Sequence, residues 1–174
     1  MARNNAAMDI LAETYEVHLA DERTQFDAFL RTYRDALNDA LADVTEEEAR
    51  RRLVPSKTTL LGLVKHVTYV EQIWFGETVT GTPRAELGLP ATVDDSYDLD
   101  PADTIATIRE QHERVCRAAE IAVADVSLDT VLTGHPRIKE VTLRWVMLHM
   151  LRELAQHAGH AEILREQLAD LRAG

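Results

Sequence analysis

The chain has 174 residues, 45% of them apolar, one cysteine and a formal net charge of −11. That length suits a single domain with a real core, and the acidity argues against nucleic acid as a partner, because phosphate binding draws on a basic face. Cys116 alone cannot form an internal disulfide, which suits a reducing cytoplasm, and neither a membrane-spanning apolar run nor a signal peptide can be read in the chain.

Seven glycines and five prolines are few, and with abundant Ala, Leu, Glu and Arg they favour helices. Residues 1–20 read as an N-terminal extension, with room for a short helix in the first 18, ahead of one domain over 21–174. Phe26, Phe29, Leu30, Tyr33, Leu37, Leu41 and Val44 make an apolar stripe at steps of three and four, predicting a helix over 21–44. Thr45 and Glu48 form a capping box for a short helix ending near Leu53, before the break at Pro55. Arg50, Arg51 and Arg52 follow Glu46, Glu47 and Glu48, so this stretch reads as a solvated surface of mixed charge.

A second long helix is expected over 58–78, with Leu60, Leu63, Val64, Val67, Val70 and Trp74 inward. Residues 60–75 are apolar enough for either a dimer face or internal packing. Residues 81–99 read as a long loop. Asp100, Pro101 and Asp103 then signal a helix start, and Ile105, Ile108, His112, Val115, Ala119 and Ala122 carry its periodicity. A second loop over 126–139 precedes a final helix over 140–171. Four amphipathic helices of this length bury their stripes most economically as an all-α four-helix bundle, and the long loops permit crossovers.

The chemistry sits on the last helix. His149, Glu153, His157 and His160 lie with Leu164 in one stripe about 80° wide. Side chains four residues apart can reach one cation, and imidazole and carboxylate are both good ligands for zinc or a similar metal. His149 with Glu153 has the same spacing as Glu153 with His157, so spacing does not fix the pair. His66, at the border of the second helix's apolar face, is the natural third ligand. Trp74, His112 and Trp145 are candidates for lining a pocket; the two tryptophans and His112 also suit the core. Cys116 reads as a small core residue, and His18 and His135 as surface groups.

Thr45-Glu-Glu-Glu-Ala-Arg-Arg-Arg-Leu-Val-Pro-Ser56, Thr59-Leu-Leu-Gly-Leu-Val-Lys-His66-Val-Thr-Tyr-Val-Glu71 with Trp74-Phe75, and His157-Ala-Gly-His160-Ala-Glu-Ile-Leu-Arg165 together resemble the actinobacterial branch of the DinB superfamily over about residues 20–170. The resemblance implies a DinB-like four-helix bundle, commonly a homodimer, with a metal triad on the second and fourth helices. Carried onto this chain, the triad is His66, Glu153 and His157. Many relatives have histidine where Glu153 stands; glutamate there resembles the mycothiol-dependent isomerases. His160 is then a substitute ligand or a supporting partner, and His149 lines the pocket or packs; in a hydrolase, His160 or His149 would be the candidate catalytic base.

This branch resembles mycothiol S-transferases most, which implies a divalent ion (zinc first, nickel or another metal in its place) and a low-molecular-weight thiol, with bacillithiol and glutathione as other superfamily thiols. The expected reaction is conjugation of that thiol to a small electrophile. A metal-dependent hydrolase and a non-enzymatic, stress-related ligand-binding protein are the alternative readings.

Overall fold

The computed structural model describes residues 12–174. The reading of residues 1–11 as part of an extension lies outside the described residues; within it, residues 12–16 are helical and Glu13 pairs with Arg31. Helices α1 (Glu22–Asp39), α2 (Glu46–Ala49), α3 (Leu60–Glu71), α4 (Ile105–Val123) and α5 (Leu143–Ala173) carry the fold. α1 packs chiefly on α5, and α3 lies between α4 and α5. The expected all-α, DinB-like four-helix bundle is therefore what the chain forms. Among the described residues, no helix is long and apolar enough to cross a membrane.

Each long helix begins at an Asp or Thr whose side chain takes up an otherwise unsatisfied backbone N–H. Asp21, Thr59, Thr104 and Thr142 accept from Thr24, Gly62, Thr107 and Trp145. The capping box at Thr45 and Glu48 forms as expected, although its helix stops at Ala49. The start signal at Asp100–Pro101–Asp103 is a correction. The Asp103 carboxylate accepts from the Asp100 backbone N–H at 2.7 Å and from Lys65 at 2.7 Å, which closes a turn before the helix. Thr104 then takes over the capping role.

α1 also ends earlier than its stripe implied. Arg165 donates to the carbonyl oxygens of Ala40 and Ala42 at 2.8 and 2.6 Å, and Asp43 adopts φ 55°, so the chain turns away. α3 does not run evenly to residue 78; it widens into a π-helix over Gln72–Val79. Both predicted loops contain structure: a 3-10 turn over Asp94–Tyr97, and a short strand β1 (Val131–Leu132) paired antiparallel with β2 (Val141–Thr142). That pairing delays the last helix to Leu143. Gly134 follows β1, where a Cβ would lie 2.7 Å from the Glu77 carbonyl oxygen and 2.8 Å from that of Thr78. This glycine lets the hairpin press against the π-helix.

The apolar residues of 60–75 are buried inside the bundle, which removes the dimer-face reading of that stretch. Trp74 is buried, whereas Trp145 is 42% exposed and is no core residue. Cys116 is a buried small residue, as read. His112 is a satisfied core histidine that meets Thr68 Oγ1 at 3.2 Å and the Arg34 carbonyl oxygen at 3.4 Å.

Candidate metal centre and its cavity

His66 projects from the middle of α3 and Glu153 and His157 from the middle of α5. The buried surfaces of both helices bring the His66 and His157 rings to a centroid distance of 4.8 Å, edge to face. Glu153 Oε2 lies 3.5 Å from His157 Nε2, and its Oε1 lies 3.7 Å from His149 Nε2 and contacts Arg152. Two ligands bonded at 2.0–2.1 Å to a tetrahedral ion stand about 3.4 Å apart, so the Glu153–His157 spacing is compatible with a shared cation. Among the described residues, no three His, Cys, Asp or Glu side chains form a ready-made coordination set. The Glu153 carboxylate is engaged by Arg152, whose own side chain is largely exposed.

The donor chemistry nevertheless fits a cation. Hydrogen bonding to His157 holds the Glu153 carboxyl down at about 2 against the cost of its burial, with Arg152 and His149 adding to the effect. Burial, then the charge of His157, pushes His66 down to about 4, so its ring is neutral at pH 7. His157 Nδ1 is buried without a hydrogen-bond partner, and an unsatisfied buried polar atom costs about 1–3 kcal/mol. An anionic oxygen beside one neutral imidazole and facing Nε2 of a second is a donor set that suits a divalent ion.

The 94–97 turn completes the surroundings of His66. Ser96 Oγ lies 2.7 Å from His66 Nδ1, and the Tyr97 ring stacks on the imidazole at 4.0 Å and 11°. Neither residue was foreseen, because a Gly-, Pro- and Asp-rich stretch gives no signal that one turn of it docks.

A cavity of about 300 Å³ opens beside these groups, lined in part by His66, Trp74, Arg137, His149 and Glu153. His135 also lines it, stacked on Trp74 at 4.5 Å; reading it as a surface group is corrected by the hairpin that carries it inward. Trp145 stacks on His149 at 4.9 Å and meets Trp74 at 5.4 Å, behind the cavity lining. His112 does not line this cavity. His160 is exposed and meets His157 edge-on at 5.5 Å, outside the lining. His18 is on the surface, as expected.

The two buried histidines make the metal-free protein acid-sensitive. Burial lowers the pKa of both His66 and His112 in the folded chain. As pH falls below the ordinary value of 6.5, the unfolded chain binds protons that the folded chain refuses. Stability is therefore fully present above pH 6.5 and declines towards pH 4, with His66 alone contributing at most about 3 kcal/mol. Denaturant unfolding with a chelator present should show this decline; a midpoint constant from pH 7 to 4.5 would contradict it.

A protein-family model for mycothiol-S-transferase matches residues 25–170. Among curated proteins, none matches the chain.

Proposed function

The chain belongs to the mycothiol-S-transferase family, and from that premise we propose that it transfers a low-molecular-weight thiol of the mycothiol class to a small electrophile, with His66, Glu153 and His157 holding one divalent ion. The observation that carries this reading is the carboxylate of Glu153, held anionic beside two imidazoles at the edge of an aromatic cavity. Three protein ligands leave a coordination position open, as catalytic rather than structural zinc sites do. Two imidazoles and one carboxylate leave a +1 site, which a thiolate neutralises. When bound, the ion supplies stabilisation of the thiol as its thiolate.

Thiolate formation alone is not enough. A thiol of pKa about 8.5 is a few per cent ionised at neutral pH, so complete ionisation gains roughly thirtyfold. Nucleophilicity falls with pKa at a slope of about 0.4–0.5, and a drop of about three units removes most of that gain. Positioning must then supply the rate. Trp74, His135 and His149 form a packed aromatic wall on which an electrophile can lie beside Glu153 and His66. The hydrolytic alternative fares less well, because His160 lies outside the cavity lining and His149 Nδ1 faces Arg152 at 3.4 Å.

The test uses cobalt-substituted protein. Titration with mycothiol should shift the visible spectrum, and the loaded protein should conjugate a generic electrophile only when thiol is present. A spectrum unmoved by mycothiol, bacillithiol and glutathione, with no conjugation by any of them, would reject the transferase reading.

A further inference from the structure

We propose that the turn Asp94–Tyr97 aims His66, with Ser96 fixing the ring so that Nδ1 carries the proton and Nε2 is the nitrogen left open for a ligand. The tautomer follows from counting hydrogens. Ser96 Oγ lies 2.5 Å from the Val93 carbonyl oxygen, which can only accept, so the single hydroxyl hydrogen is spent there. Towards His66 Nδ1, at 2.7 Å, the same oxygen can only accept, so the imidazole must donate from Nδ1. Ser96 is 1% exposed, so water does not compete for this bond. Tyr97, stacked on the face of the imidazole, fixes the plane of the ring while Ser96 fixes its rotation.

The turn itself is strapped down. Gly62 lies one helical turn before His66 on α3, and a Cβ there would stand 2.9 Å from the Tyr97 carbonyl oxygen. The missing side chain is a notch into which the backbone of the turn seats. Lys57 pairs with Asp94 at 2.7 Å and with Asp98 at 2.8 Å, on either side of the turn. Lys65 donates to the Asp98 carbonyl oxygen at 2.7 Å, next to His66 in sequence. Four contacts therefore hold a stretch of loop whose one buried polar side chain addresses His66. Groups that orient a ligating histidine in this way typically carry 10–100-fold in metal affinity.

The consequence for metal binding rests on the reading of His66 as a ligand; the tautomer does not. The experiment uses metal-free, histidine-¹⁵N-labelled full-length protein, with the His66 signals identified by their loss in His66→Ala, followed by zinc competition against a chelator. Wild-type protein should show His66 as the Nδ1–H form. Ser96→Ala should mix the two tautomers and weaken zinc binding roughly 10–100-fold. Should Ser96→Ala fold poorly, Gly62→Ala serves as the second variant: it removes the notch while raising helix propensity, and the same mixing is expected. His66 protonated on Nε2 in the wild type, or one unchanged tautomer in both variants, would overturn the proposal. If the wild type takes up no zinc yet holds the Nδ1–H form that Ser96→Ala loses, Ser96 still orients the ring and it is the metal reading that fails.

Discussion

Replacing Glu71 by alanine is expected to lower the unfolding free energy by about 3–5 kcal/mol, the range for breaking a buried ion pair from one side. Glu71 is fully buried and Arg34 is 7% exposed. Their pair is bidentate, with Arg34 Nε and Nη2 donating to the two Glu71 oxygens at 2.8 Å each. Burial works against the Arg34 charge, but Glu71 outweighs it and keeps the guanidinium protonated. Phe75 lies 5.5 Å below the guanidinium, and Arg34 Nη1 also donates to Glu120, which is half in solvent, at 3.4 Å. Without Glu71 the buried cation loses its bidentate partner and keeps only the longer bond to the half-exposed Glu120. Replacing both partners by apolar side chains of similar size, Arg34→Met with Glu71→Leu, should cost far less than the single change, since no charge is then stranded. Urea unfolding of the two proteins checks this; a single variant within 1 kcal/mol of wild type would show that the pair does not behave as a buried one.

Glu153→Gln is expected to reduce divalent-metal affinity more than about 100-fold, beyond the range for residues that only support a ligand. The substitution keeps the shape and removes the anion that interaction with His157 holds at a pKa of about 2. His149→Ala, at the other end of the same carboxylate, should leave the stoichiometry of bound metal unchanged, because the ring that meets His66 belongs to His157. Metal titration of the three proteins in parallel decides which histidine shares the ion with Glu153. Equal losses in Glu153→Gln and His149→Ala would assign the pair to His149 instead.

Much of this was legible in the residues. Apolar spacing located α1, α3, α4 and α5, and Thr45 with Glu48 announced its own capping box. What failed did so for identifiable reasons. The signal at Asp100–Pro101–Asp103 was outbid by Lys65, which draws Asp103 into a separate turn. The end of α1 depends on Arg165, more than a hundred residues further along the chain. Helical phase put His149, Glu153 and His157 on one stripe and His66 at the border of another, and the resemblance alone chose His157 over His149; Ser96 and His135 entered from loops whose docking depends on close approaches at Gly62 and Gly134. The Arg34–Glu71 pair did leave a trace. Arg34 falls in phase with Leu30, Leu37 and Leu41, and Glu71 in phase with Val64, Val67 and Trp74, so two charges of opposite sign stand on apolar stripes that both turn to the core.

The proposed thiol chemistry requires one divalent ion among His66, Glu153 and His157 with a position free for a thiol. Anomalous scattering at the zinc edge from crystals of the zinc-loaded protein tests it most directly. A single peak within about 2.0–2.2 Å of one nitrogen of each histidine and one oxygen of Glu153 is expected. A peak elsewhere, or a zinc ion enclosed by four protein ligands, would contradict it.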